Sequence, residues 1–373
     1  MIHEPAELGE RVRTRLRALC EIACSPGTRE VLRLWTRERL EHGLAELGRT
    51  LPSTIHGALV AEETRLAHPI KDGIASFLED DVIPFVRSQS IEPGSAKATS
   101  KSQVQEFYDE QGWVRTADGR FAEARRLASG ELDAHRLYMR LSNAAIGKRF
   151  SGGRFFLDAA SGPVAIPEHL AYSRHFDFRV CVDFSRTALK EAADNVGDKG
   201  IFCLADICRL PFADDSFDGA LSAYTVQHVP ADQQEVALAE LYRVLKPGAN
   251  LCILTRARKS PSHRIALAIL RSLRRGWRRG GSAAVLNDDD SPSGSGHRKP
   301  YCRTRDLGWW RRAARSLTPS FSVQSLRILR RKDFEHLFGE SERAARSLHS
   351  FETRLPLLAA RFSRYLVVTL TKP

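Results

Sequence analysis

The spacing of apolar and polar positions changes along this chain, and the changes divide it. Residues 11–48 alternate basic and apolar side chains at helical spacing, with a Ser-Pro-Gly break at 25–27. From Leu51 to Asp81 the apolar runs shorten and are punctuated by Gly and Pro, as in "IHGALVAEETRLAHPIKDGIASFLEDD", which predicts small strands and turns. The stretch "SIEPGSAKATSKS" has linker composition. A boundary near residue 95 follows, separating a small α+β unit (1–95) from a larger one (96–373).

Helical patterning occupies about 101–150, and from Arg154 onward strand and helix patterns alternate. The strand-like runs are "RFFLDAA", "RVCVDFS", "IFCLAD", "FDGALSAYT" and "NLCILTR", with "FSVQSLRIL" and "YLVVTLTK" closer to the C-terminus. Between them lie helical stretches such as "SRTALKEAADNV" and "QEVALAELYRVLK", the latter stopped by Pro247 and Gly248. The pattern predicts an α/β fold: a Rossmann-like, seven-stranded, mostly parallel sheet with helices on both faces.

Charge sharpens this picture. The formal net charge is +12, but residues 256–332 alone hold 20 Lys or Arg against 4 Asp, so the basicity is local. It coincides with an insertion, about 257–315, before the sixth strand. There "SHRIALAILRSLRRGWRRG" sets Ile265, Ile269 and Leu273 at four-residue spacing with arginines on the other faces. A lid, a partner surface and a peripheral membrane contact through 261–280 all fit such a helix, and the adjacent "DDDSPSGSG" composition suits a lid. Single-stranded nucleic acid is a poorer fit, because the insertion offers mainly Trp277 and the Trp309–Trp310 pair as stacking platforms.

The seven cysteines are scattered, and Cys181, Cys203 and Cys252 lie in apolar runs, so a reduced protein is expected. No run approaches the roughly 18 apolar residues of a membrane span, and the N-terminus lacks a signal-peptide core; a cytoplasmic location is expected.

Candidate chemistry sits after the first strand of the alternating region. In "RFFLDAASGPVAIPEH", Asp158 ends the strand and Gly162 permits close backbone approach, while Asp183 follows 25 residues after Asp158 at the end of the second strand. An ionised carboxylate there can accept from two ribose hydroxyls. Positions 160 and 164 are Ala and Val, where a dinucleotide loop needs glycine to approach a pyrophosphate. A ligand with adenosine but no phosphate tolerates the bulkier loop, and S-adenosylmethionine is the common one.

The run "LDAASGP…VCVDFS…GIFCLADICRLPFADDSFDGALSAYTVQHVP…ELYRVLKPGANLCILT" resembles the class I S-adenosylmethionine-dependent methyltransferases, in particular the ubiquinone and menaquinone biosynthesis group. The resemblance implies the following assignments. Asp158, Ala160 and Gly162 form the loop beside the amino-acid part of the cofactor. Asp183 binds the ribose and Phe184 lies against the adenine. Asp206 accepts from the adenine amino group, and Ile207 packs on the ring. Tyr224 to His228 face both sulfonium and acceptor. In "QEFYDEQGW", Tyr108 closes the site. Local alternatives remain: helix caps for Asp158 and Asp206, core packing for Phe184 and Tyr108, and capping or pocket-shaping for His228.

The implied activity is methyl transfer to a small-molecule acceptor at O, N, S or C, with His228 as base if the nucleophile must shed a proton. A lipid-linked or nucleic acid acceptor reached through the basic insertion is the alternative, as is a non-catalytic cofactor-binding protein. The motif with an acidic or amide residue, two prolines and an aromatic, typical of enzymes that methylate exocyclic base nitrogens, is replaced by "SAYTVQH".

The N-terminal "LCEIACSPGT…GALVAEETRLAHPIKDGIASFLEDD" resembles the zinc-ribbon-like activator subunit of tRNA and translation-factor methyltransferases. Structural zinc normally takes four ligands. Cys20 and Cys24 have no second cysteine pair, with only His56 and His68 nearby, so a metal-free relic is expected. Shielding an apolar face, covering the cofactor side and forming a homodimer contact are its open roles.

Overall fold

The computed structural model describes residues 9–85, 133–258 and 301–373, with six further positions between 263 and 272. The strands are β1 (Arg33–Thr36), β2 (Gly57–Ala61), β3 (Leu66–Lys71), β4 (Ile74–Ser76), β5 (Ile83–Pro84), β6 (Gly153–Ala159), β7 (Phe176–Asp183), β8 (Gly200–Leu204), β9 (Phe217–Ala223), β10 (Leu245–Arg256), β11 (Phe321–Arg327) and β12 (Tyr365–Thr371). They form one sheet in the order β1-β2-β3-β4-β8-β7-β6-β9-β10-β12-β11, with β5 pairing off β3.

The seven strands read from the alternating region are all present. From β8 to β10 neighbouring strands are parallel, and β12 enters antiparallel between β10 and β11. Counted from β6 as the first, the order is 3-2-1-4-5-7-6. The central strands β6 and β9 are buried on both faces, which is why they appear in sequence as continuous apolar runs.

Two layers of helices cover the sheet. On one face Leu16 and Leu19 of Glu10–Cys20, Leu238 and Leu241 of Gln234–Arg243, and Trp310 of Leu307–Leu317 share a core with Leu157, Val180 and Ile253. On the other, Ile146 of Asp133–Gly147 packs near Phe156 and Leu254, while Leu189 and Ala192 of Arg186–Val196 meet Cys181 and Phe202. Helix Glu342–Arg354 backs onto Asp133–Gly147 through Ala345 and Tyr138.

The N-terminal segment joins this sheet. Strand β4 pairs parallel with β8, Ile74 opposite Phe202 and Ser76 opposite Leu204, and Phe77 N donates to Leu204 O at 2.8 Å. Cys24 N donates to Pro211 O and Ala213 N to Ile22 O, tying the two chain segments on a second line. The helical spacing of residues 11–48 is interrupted by β1, because Arg33–Thr36 pairs antiparallel with β2; pairing partners outweigh local periodicity there.

Of the residues weighed as relic zinc ligands, Cys24 is buried and His68 is buried against Phe77, with its Nε2 facing Ser25 Oγ at 3.3 Å. Among the described residues no cluster of three or more His, Cys, Asp or Glu is arranged to hold a metal, and no helix is long and apolar enough to cross a membrane. None of the seven cysteines is in a disulfide.

The basic helix of the insertion falls largely outside the described residues, Ile269 and Leu273 included. At its start the inward-facing residues are His263 and Leu267, whereas Ile265, on the apolar stripe, is 61% exposed. His263 Nδ1 meets the Phe362 carbonyl, and this polar anchor fixes the helix rotation.

Candidate functional site

Strand order reverses between β6 and β9, because the chain runs from β6 to β7 and β8 on one side and returns to β9 on the other. In open parallel sheets this point opens a crevice at the carboxyl ends of the strands. The loop after β6, the ends of β7 and β8, and Tyr224 after β9 all lie on that edge.

The loop after β6 has the backbone of a glycine loop with only one of its glycines. Gly162 has φ +56°, but Ala160 and Val164 also take positive values, +54° and +50°. Each such non-glycine residue costs on the order of 1–3 kcal/mol, and a β-branched one is an outlier. The surroundings impose the shape. Ser161 N donates to Val182 O at 3.0 Å, Gly162 N to Asp183 Oδ2 at 2.9 Å, and Asn195 Nδ2 to Pro163 O at 2.8 Å. Val164 is buried with Ile74, Cys181 and Leu189, so its side chain is retained for packing while its backbone is strained.

Asp183 is the hub of this edge. Its Oδ2 holds Gly162 and its Oδ1 accepts from Ser185 N at 2.9 Å, while Ser185 caps Arg186–Val196 through Ala188 N. A carboxylate oxygen can accept more than one hydrogen bond. Phe184 is half-buried beside it. After β8, half-buried Asp206 closes a tight turn by accepting from Cys208 N at 2.8 Å. Ile207 next to it is buried in the main core with Leu210 and Phe212. Tyr108 lies outside the described residues.

Asp158 points elsewhere. Phe156 stands opposite Arg179 on β7, so Asp158 is Arg179's diagonal neighbour on the same face. The Arg179 Nε donates to Asp158 Oδ2 at 3.0 Å, and its Nη1 to His169 O at 2.8 Å. Both side chains are buried, making this an ion pair inside the sheet. A lone arginine in the apolar run "RVCVD" was its only signal in the sequence.

On the far side of the crevice Tyr224 also has positive φ, +59°, and its N donates to Leu254 O at 2.7 Å. Burial raises its phenol pKa, with Arg327 opposing; Arg327 Nη2 donates to Tyr224 Oη at 2.7 Å. His228 sits in the short turn Val226–His228. Its Nδ1 lies 2.7 Å from Tyr301 O and therefore carries the proton, leaving Nε2 as the acceptor, 3.3 Å from Gln227 Nε2. Gln227 Oε1 accepts from Arg256 N, which fixes the amide's orientation. Burial, helped by Arg256 and opposed by the Tyr301 carbonyl, lowers the His228 pKa and keeps the ring neutral.

The return limb of the insertion covers this side. Arg303 N donates to Gln227 O, Arg305 to Gln234 Oε1 and Ala231 O, and Ala231 N to Tyr301 Oη. At its root a cavity of about 190 Å³ is lined by Arg258, Arg303, Arg305, Arg312, Asp306 and Trp309. Arg327, Tyr172 and His169, which flank Tyr224 on the opposite sheet face, escaped the sequence reading, because nothing separates Arg327 from the other arginines of its run.

Residues 157–253 match the family described as "Methyltransferase domain". The chain is 35% identical over 113 residues to a ubiquinone/menaquinone biosynthesis C-methyltransferase, UbiE, of Desulfotalea psychrophila, spanning 30% of this chain and 44% of that protein. It is 42% identical over 74 residues to the methyltransferase GfsG of Streptomyces halstedii, 18% of this chain and 26% of that one. The chain thus spans under half the length of these curated relatives. Among solved structures, one from the complex of the Haloferax volcanii Trm112 methyltransferase activator with a methyltransferase of unassigned role is 17% identical with a TM-score of 0.42, over 68% of this chain and 95% of that one. Residues 157–253 are thus similar to methyltransferase domains, and strands β6 to β10 of the central sheet run through them.

Proposed function

We propose that this chain, built around a class I methyltransferase domain, transfers a methyl group from S-adenosylmethionine to a small-molecule acceptor. The observation that carries the reading is the joining of Gly162 N, after β6, to Asp183 Oδ2, at the end of β7, beside the point where strand order reverses. A carboxylate at the end of β7 and a left-handed loop after β6 suit a ribose and an amino-acid tail. Nothing in the loop offers the successive glycines that a pyrophosphate needs.

The cofactor supplies an electrophilic methyl on a positively charged sulfur. In our reading the protein contributes position and exclusion of water. Asp183 accepts from the ribose hydroxyls, Asp206 and Phe184 border the adenine, and Ala160 and Gly162 line the tail. Ile207 supports the floor from within the core, and Asp158 acts only by fixing β6 to β7 through Arg179. Tyr108 remains our candidate for closure. Tyr224 flanks the acceptor, and neutral His228 takes a proton through Nε2 where the nucleophile is a hydroxyl or an activated carbon.

The arginine-lined cavity at the root of the insertion supports a second reading, in which the acceptor carries a phosphate, whether lipid-linked or nucleic acid. Calorimetric titration with S-adenosylmethionine and S-adenosylhomocysteine tests the primary reading. Micromolar binding of both is expected, and a folded sample that binds neither overturns it. Methyl transfer from labelled cofactor to phenols, amines and thioethers, compared with lipid extracts and RNA, separates the two acceptor classes.

A further inference from the structure

We infer that the acceptor carries a carboxylate, received beside Tyr224 by Arg327 and Tyr172; the inference rests on the methyl-transfer reading above. Arg327 ends β11, which runs in the same direction as β10, so it lies on the carboxyl-end edge with Tyr224. It is only 6% exposed. Nη2 donates to Tyr224, and the guanidinium lies 4.9 Å from the Tyr365 ring, but buried Nη1 has no hydrogen-bond partner.

The other buried arginines show what is missing. Arg179 is paired with Asp158, and Arg330 with Asp333 at 2.8 Å. Among the described residues no carboxylate lies within 4.0 Å of Arg327. Glu352 reaches it electrostatically, yet that carboxylate accepts from the Tyr138 hydroxyl and from Ile328 N at 2.6 Å, not from Arg327. A buried guanidinium without a directly paired carboxylate is costly to maintain, and of the acids only the more distant Glu352 opposes its charge.

The hydrogen-bond inventory points the same way. Arginine only donates, so Tyr224 Oη is the acceptor in their bond, and its own proton is directed elsewhere. Tyr172 is buried, its Oη also has no partner, and its ionisation responds to both Tyr224 and Arg327. One guanidinium edge and the Tyr172 hydroxyl are therefore left unpartnered beside Tyr224, and the unpartnered Glu352 Oε2 makes no hydrogen bond to either. A carboxylate brings one negative charge and the matching lone pairs, whereas a phosphate dianion would leave a net negative charge buried.

The test uses the full-length protein, with and without saturating S-adenosylhomocysteine, and four probes: acetate and benzoate against their neutral amides. Benzoate or acetate is expected to raise the thermal midpoint while acetamide and benzamide do not. Arg327→Met should weaken carboxylate binding by at least about tenfold, leaving S-adenosylhomocysteine affinity within about twofold. If Arg327→Met does not fold, Tyr172→Phe, which removes only a hydroxyl, should weaken carboxylate binding by about three- to tenfold. Equal responses to acids and amides, or carboxylate binding that survives these substitutions, overturn the inference. Inorganic phosphate outcompeting benzoate also overturns it. Failure of S-adenosylhomocysteine to bind while benzoate still does would sink the methyl-transfer reading and leave the carboxylate site standing.

Discussion

The two halves of the crevice are built on opposite terms. On the half formed by β6, β7 and β8, the acids are already engaged by the protein: Asp183 by Gly162 and Ser185, Asp206 by Cys208, Asp158 by Arg179. On the half formed by β9 to β12, hydrogen-bonding capacity is left over at Arg327 Nη1, and Tyr172 Oη, reaching the same cluster from the β6–β7 connection, is unpartnered too. The difference teaches that the first half is shaped before any ligand arrives, so its strain and polar bonds are internal. The second half keeps charge in reserve for what it meets.

The largest effect should come from breaking an internal pair. Asp158→Ala leaves Arg179 buried without a counter-ion and should cost about 3–5 kcal/mol in chemical denaturation. Combining Asp158→Leu with Arg179→Met should restore most of that. Unchanged stability with weakened cofactor binding would instead make Asp158 a ligand group and erase the contrast.

Asp183→Ala comes next, because the residue both holds the loop and is our ribose acceptor. Affinity for S-adenosylhomocysteine should fall at least about tenfold, roughly 1.5–3 kcal/mol for a charged hydrogen-bonding group. Calorimetry that returns wild-type affinity would move the ribose away from β7.

Acid should act on buried histidines in both chain segments, 9–85 and 133–258. Burial lowers the pKa of His68 and of His135 to about 4 and that of His169 to about 3, from 6.5. The unfolded chain therefore binds protons that the fold rejects, and the stability these groups contribute is lost as pH falls below about 6.5. By pH 5 the loss should be on the order of 1–2 kcal/mol per histidine, read from urea unfolding at pH 5 and 7.5. Glu352 works in the opposite sense. Burial raises it to about 7, so its contribution is present below about 4.5 and is lost as pH rises through 7. Glu352→Gln should flatten the alkaline side of the same profile.

The smallest effect tests the strained loop itself. Ala160→Gly relieves a left-handed alanine and should stabilise the protein by about 1 kcal/mol with cofactor affinity retained. Val164→Gly should not, because the buried valine packing it removes outweighs the relief. If both stabilise, the loop's shape is not enforced by its neighbours.

Much of this architecture is written in the chain's periodicities. The seven strands of the alternating region are legible because buried parallel strands need unbroken apolar runs, and the positions of Gly162, Asp183 and Asp206 at or just past strand ends are legible from the same runs. Those features are local. The merging of the N-terminal strands with β8 is not, since β4 and β8 lie more than a hundred residues apart and nothing in either names its partner. Sequence alone likewise could not show that Asp158 faces Arg179 instead of the crevice, nor that Arg327, one arginine among many, is the buried one without an acid. Periodicity encodes which face of an element is buried; only the three-dimensional neighbours decide which buried charge is balanced.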